Sequence, residues 1–246
     1  MKKLKWLVSL VCIAAARVHA APEAALAEGS PDPWTFKLTP SVYATAQAHN
    51  AVDVNLRANT GPHAMWIGQY QRGAEFQQTR AGYEYSVNFD WGQMVPSVQL
   101  ASGGFVGGSL NLQIGQQVYA IVGLGRTNLR DYYNLNFDPN DAVTLGVGAH
   151  LANGHQLSVF TVQDDRLGTG QAITHGLWHW QASAQNRWSL DLAHKDGRSS
   201  AGEPRVAGHS VALTYGHGHT FVRLAYDEKV NFSANNQTRV SVGQQF

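Results

Sequence analysis

Short runs of strict apolar–polar alternation recur along almost the whole chain, and they restrict it to β-sheet with two chemically different faces. Val52, Val54, Leu56 and Ala58 alternate with Asp53, Asn55 and Arg57, and Tyr83, Tyr85, Val87 and Phe89 alternate with Glu84, Ser86 and Asn88. Successive side chains of a strand point to opposite sides, so each run carries one apolar and one polar face. Further apolar series are Val118-Ala120-Val122-Leu124, Val143-Leu145-Val147-Ala149-Leu151, Trp188-Leu190-Leu192, Val211-Leu213-Tyr215 and Val222-Leu224-Tyr226. No helical period and no linker divides them.

A soluble sandwich or a lipocalin-like barrel would also alternate, so the connectors have to discriminate. Short ones, at 60–62, 91–93, 115–116, 152–154, 183–186 and 216–218, alternate with longer ones at 72–80, 126–141, 163–170, 195–204 and 227–236. Asn153-Gly154 is the strongest two-residue hairpin signal of the set. Short turns on one side and long loops on the other are the habit of transmembrane barrels, and a sandwich has no reason to sort its connectors that way.

Both ends of the chain bear on where such a barrel would sit. Lys2, Lys3 and Lys5 form a basic head, an apolar stretch of about a dozen residues follows, and Val18-His19-Ala20 is a small-x-small-like cleavage site. The stretch is too short to span a bilayer as a helix, which needs about 20 apolar residues. The expected organisation is a cleaved signal peptide at 1–20, a flexible proline-containing periplasmic leader at 21–33, and a transmembrane barrel at 34–246.

The chain closes with Arg239-Val240-Ser241-Val242-Gly243-Gln244-Gln245-Phe246, an alternating strand ending on an aromatic residue. A terminal strand closing on Phe behind an export signal resembles the Gram-negative outer-membrane β-barrel class. That resemblance implies an outer-membrane location, an insertion signal at Phe246, and as partners the outer-membrane lipids and the barrel-assembly machinery. The fold class expected is therefore all-β, an antiparallel up-and-down transmembrane β-barrel. Fourteen strands are counted, with twelve as the alternative, because an even number returns both termini to the periplasmic side. In this register Trp34, Trp66, Trp91, Trp178, Trp180 and Trp188 fall toward the periplasmic end of their strands. Tyr70, Tyr83, Tyr85 and Tyr226 fall mainly toward the other end, as two interfacial girdles would require.

Loss of the signal removes Lys2, Lys3, Lys5 and Arg17, so 18 basic residues less 4 leaves 14 against 17 acidic ones, formally −3. A weakly acidic surface without basic runs carries no footprint for nucleic acid. Cys12, the single cysteine, leaves too, which excludes disulfides and thiol catalysis from the mature chain.

Charges on a lipid face cost about 2–4 kcal/mol near the midplane, so the polar faces must turn inward. The lumen-lining candidates are Asp53, Arg57, Glu84, Asp90, His175, His179, Arg187, Asp191, Arg223 and Arg239, with His150. The 126–141 segment, through Arg126, Arg130, Tyr132, Tyr133 and Asp138, combines cationic and aromatic groups able to narrow a path or hold a polar solute. Asp138, Asn140 and Asp141 could ligate calcium, but the Gly and terminal Glu of the calcium-loop pattern are missing. His175 and His179 share a strand face about 13 Å apart, too far to chelate one ion as a pair. No metal and no cofactor is expected.

The function this supports is a small passive channel for polar solutes. One alternative is a lipid-modifying hydrolase: no His-x-Ser strand motif is present, and His209 and Ser210 face opposite sides, but a cross-strand set such as Ser189, Asp191 and His175 stays open. The other is a structural or polymer-export barrel whose inner charges pair across a closed lumen.

Overall fold

The computed structural model describes residues 32–46, 48–135 and 138–246; the expected signal peptide and most of the expected leader lie outside the described residues. Fifteen strands follow one another: β1 (Thr35–Thr45), β2 (Ala51–Thr60), β3 (His63–Arg72), β4 (Phe76–Tyr85), β5 (Val87–Phe89), β6 (Gly92–Ala101), β7 (Phe105–Gly115), β8 (Val118–Thr127), β9 (Ala142–His150), β10 (His155–Asp164), β11 (Ala172–Gln181), β12 (Asn186–Gly197), β13 (Val206–His217), β14 (Thr220–Asp227) and β15 (Gln237–Gln245). Each pairs antiparallel with its sequence neighbours, except that β4 and β5 both pair with β6 and not with each other, and β1 pairs with β15, so the sheet closes on itself. Closure leaves no edge and satisfies the backbone without water, which is what allows a sheet to stand in lipid.

The barrel has fourteen staves, because β4 and β5 are one stave interrupted once. Glu84 pairs with Ser97 and Val87 with Met94 in a single unbroken register. The residue that would face Tyr85 is Pro96, which has no N–H to give the ladder. At the seam, Phe36 and Phe246 exchange both backbone hydrogen bonds, at 2.8 and 2.9 Å.

Packing decides between a soluble and a membrane barrel. Ile67, Leu145 and Leu224 point outward at 54%, 60% and 57% exposure, while Asp53, Arg80 and Lys195 are buried inside at 1%, 3% and 1%. A lipocalin-like barrel would hold the opposite arrangement, with the apolar face removed from water. Apolar outside and polar within is the transmembrane pattern.

Connectors sort as the sequence indicates, with one correction. Short turns and both described chain ends gather at one end of the barrel, the turn end. At Asn153-Gly154 both residues hold positive φ, 59° and 74°, as a tight hairpin demands. The other end, the loop end, carries the long 128–141, 165–171, 198–205 and 228–236 connectors. The connector expected over 72–80 is instead only 73–75, because β4 begins at Phe76.

That earlier start also moves two tyrosines. Tyr83 and Tyr85 come to the turn end, where Tyr85 faces His63, the first residue of β3. Tyr70 is fully buried inside the barrel, and only Tyr226 of the four stands outward near the loop end. Trp66 also leaves the girdle: it pairs with inward-facing Arg57 and so projects into the lumen. Trp34, Trp91, Trp178, Trp180 and Trp188 remain on the outer surface at the turn end.

Candidate functional site

The inner wall follows from strand parity, and it brings most of the candidate residues to one face. Asp53 and Arg57 on β2, Glu84 on β4, His150 on β9, His175 and His179 on β11, Arg187 and Asp191 on β12, Arg223 on β14 and Arg239 on β15 all lie on the inward side. Asp90 does not; it sits exposed in the turn after β5, where its carbonyl accepts a hydrogen bond from Gln116 Nε2.

Parity also adds residues that loop assignments had hidden. Arg80 continues the Glu84 face, Lys195 the Asp191 face and Asp227 the Arg223 face. Extending each alternation by two or four residues would have found them. Lys37, on the inner face of β1, belongs with them.

At the loop end the bore is crossed by the segment between β8 and β9, here called the 128–141 segment and described over residues 128–135 and 138–141. Its base is fastened by Asp141, whose carboxylate accepts from Thr127 N at 3.1 Å, Thr127 Oγ1 at 2.5 Å and Arg166 Nη1 at 2.8 Å. From there the segment turns inward. Tyr132 stacks on Phe105 of β7 with centroids 4.2 Å apart, and Tyr133 stacks on Tyr70 of β3 at 4.3 Å. Gln78 of β4 donates to Asp131 O at 3.0 Å and accepts from Tyr133 N at 2.9 Å. Arg239 of β15 donates to Leu135 O at 3.0 Å, and Asp138 meets His175 Nε2 of β11 at 3.0 Å. Anchors on five strands around the circumference carry the segment from wall to wall. Burial raises the Tyr132 phenol above its ordinary range, and the neighbouring Arg80 guanidinium pulls it partly back.

Of the residues expected to act from this segment, Tyr132, Tyr133 and Asp138 enter the bore. Arg126 instead belongs to β8, faces outward and pairs with Asp165 at 2.6 Å, while Arg130 is exposed at the mouth. The acids that suggested calcium are turned to separate partners, Asp138 to His175 and Asp141 to Arg166. No group of three or more His, Cys, Asp or Glu side chains among the described residues could hold a metal.

The hydrolytic alternative meets a geometric obstacle at His175. Its Nδ1 lies 3.0 Å from Asp191 and its Nε2 faces Asp138, so neither ring nitrogen is available to take a proton from a serine. Ser189 pairs across the strands with His179, not His175.

Toward the turn end the interior is less tightly filled. Arg57 pairs with Glu84, and both side chains are only partly covered. Large rings lie flat against the wall over glycines: a Cβ on Gly82 would come within 2.5 Å of the Trp66 indole, and Cβ atoms on Gly148 and Gly243 would collide with Tyr119 and Phe221. Each glycine makes room for a ring that would otherwise project into the bore.

Charge is distributed unevenly around the wall. The inward positions of β6 to β9 hold no Lys, Arg, Asp or Glu, only amides, hydroxyls, glycines, apolar and aromatic groups and His150. The charged residues lie on the arc that runs from β10 through β15 and β1 to β4.

No protein-family model matches the chain, and no curated protein matches it either. Solved structures do. Omp33 of Acinetobacter baumannii, an outer-membrane protein, is 9% identical over 87% of this chain and 98% of its own, with a TM-score of 0.58. A bacterial polysaccharide outer-membrane secretin is 9% identical over 89% and 99%, with a TM-score of 0.52. OmpF of Salmonella typhi, solved with daunomycin, reaches a TM-score of 0.45 at 10% identity over 87% and 97%. At such identities the likeness is one of architecture, and the chain has the fold of the Gram-negative outer-membrane β-barrel proteins.

Proposed function

We propose that this protein is an outer-membrane channel through which small polar solutes diffuse, with the turn end in the periplasm and the 128–141 segment as its constriction. The observation that carries this reading is that segment's course: it leaves β8, crosses the bore and is held by side chains of five separate strands. A loop with no role in the lumen could stay in solvent outside, where connectors usually run. Below it lies a polar interior with rings pressed back against the wall, an arrangement that favours a passage over a filled core.

Conductance of the refolded barrel in a planar bilayer tests the proposal. Wild-type protein should pass a small ohmic current, and replacing residues 131–139 by two glycines should raise it several-fold. No current from either form would reject the channel and favour the second reading, a closed structural barrel. That reading draws on the full burial of Tyr43, Tyr70 and Lys195 at the loop end.

A further inference from the structure

We propose that the 228–236 connector between β14 and β15 is a strained apolar latch: packed inward against the 128–141 segment it seals the loop end of the bore, and its release opens the path. This deepens the channel reading and rests on it for what the latch controls, though not for the latch's own motion.

Two side chains of the connector are buried inside the barrel, Val230 and Phe232, at 5% and 4% exposure. Val230 joins a cluster with Tyr43 of β1, Ala51 of β2, Tyr70 of β3 and Leu135 of the 128–141 segment, and Tyr133 packs against it. Phe232 joins Ile173 of β11 and Ala193 of β12, on the opposite flank of β14 and β15. These wall positions are inward by parity: Tyr43 faces Arg239, and Ala193 faces His175. The connector therefore reaches the wall on both flanks and meets the other inward segment at Leu135. A constriction walled by apolar side chains gates by shedding its water, so this meeting is where the path closes.

The backbone resists this inward fold. Lys229, Asn231 and Phe232 hold φ of 49°, 50° and 57°, left-handed conformations that Asn accepts but that disfavour Lys and, above all, a bulky aromatic residue. The connector contains no glycine to take these angles without steric cost. Bonds within it fix the turn: Val230 N donates to Asn235 O at 2.9 Å, Phe232 N to Lys229 O at 2.9 Å and Ser233 N to Val230 O at 3.0 Å. Burial of two apolar side chains thus holds a conformation that the backbone by itself disfavours.

The neighbouring segment is held differently. Polar wall groups bond directly to it: His175 to Asp138, Arg239 to Leu135 O, and Gln78 to the backbone of Asp131 and Tyr133. Such anchors fix both partner and geometry, whereas the apolar contacts of Val230 and Phe232 are non-directional. Local strain opposed by tertiary packing makes an element with two arrangements close in free energy. Of the two inward segments, 228–236 is therefore the one that moves.

Thiol labelling of Ala51→Cys in the refolded barrel follows the latch independently of conductance. Ala51 is 1% exposed within the Val230 cluster, so a small charged reagent reaches a cysteine there once the cluster opens. Adding Val230→Ser removes apolar burial and should speed labelling about tenfold. Adding Lys229→Gly relieves a left-handed residue, at the loss of one long contact from Lys229 Nζ to Ala234 O at 3.5 Å, and should slow labelling several-fold. Planar-bilayer records should move in step, with longer open intervals for Val230→Ser and longer closed ones for Lys229→Gly. Val230→Ile, which keeps an apolar side chain, should match wild type in both measurements and show that the position tolerates change. Labelling indifferent to Val230→Ser and Lys229→Gly, in variants that still show heat-modifiable mobility, would overturn the latch. Opposite labelling shifts in a barrel that passes no current would reject its role as a gate together with the channel reading. A steady current indifferent to both substitutions would reject the gate and leave the channel standing.

Discussion

His175 joins the inward segment to the barrel wall: its Nε2 lies 3.0 Å from Asp138 while its Nδ1 lies 3.0 Å from Asp191 on the adjacent strand. One wall side chain thus bridges a carboxylate of the loop and a carboxylate of the sheet. Hydrogen bonds to charged groups contribute about 1.5–3 kcal/mol, enough to bias the segment strongly toward its inward position. Asp138→Asn should increase hydrogen exchange of residues 131–135 and make bilayer currents larger and noisier, with the barrel's thermal transition little changed. Unaltered exchange and current would show that the other anchors hold the segment by themselves.

Inner arginines should separate by depth. Arg80 and Asp53 form a pair with side chains only 4% and 1% exposed, so Asp53→Asn, which leaves a buried guanidinium without its counter-charge, should cost about 3–5 kcal/mol. Arg187 donates to Gly218 O near the turn end and is only half-buried. Arg187→Gln should stay within about 1 kcal/mol, as for a solvated charge. The temperature at which gel mobility shifts in detergent measures both, and equal shifts would contradict the ranking.

Gly82 allows the Trp66 indole to lie against β4. Gly82→Val should force the ring into the bore and cost about 1–3 kcal/mol through overpacking. The expected readouts are a shifted tryptophan emission and a reduced current in a barrel that still folds. Identical emission from Gly82→Val and wild type would mean that the ring finds another place on the wall.

Phe246 is 64% exposed on the outer surface and stacks on Phe36 across the seam, with centroids 5.9 Å apart. An outward terminal ring suits the insertion signal implied by resemblance. Deleting Phe246 should lower the amount of assembled barrel in cells while refolding in detergent remains nearly intact. Equal loss in both settings would make it a residue that closes the seam.

Cysteine labelling with an impermeant reagent on intact cells tests orientation. Cysteine at Ser199, in an exposed loop-end connector, should react, and cysteine at Asn153, in a turn-end hairpin, should not. Asn134 would serve as an external probe if its loop projected outward. Its side chain instead donates to Asp138 O at 2.6 Å within the folded-in segment, so labelling there should be markedly slower than at Ser199. Reaction at Asn153 alone would invert the barrel.

Alternation and the sorting of short and long connectors together determined the architecture in advance: a period of two assigns every strand residue to one of two faces, lipid accepts only the apolar one, and the connector lengths separate a transmembrane barrel from a sandwich. Most inward charges follow from the alternation, and the count of fourteen strands, with twelve as its alternative, follows from the connectors and the need for an even number. Where the alternation gives no local signal, a strand is hard to tell from a loop. Phe76 to Arg80 looked like a loop because Gln77, Gln78 and Thr79 are all polar, although Gln77 and Thr79 face outward at the loop end, where lipid no longer forbids it. Arg80 is hidden with them, and the height of Trp66 on its strand suits a girdle while its parity places it inside. The course of the 128–141 segment was illegible for a different reason. Nothing in Arg130, Tyr132, Tyr133 or Asp138 distinguishes a loop that stands in water from one that folds inward. That choice depends on Gln78, Tyr70, Phe105, His175 and Arg239, residues from strands far apart in sequence that only closure of the barrel brings around a single space.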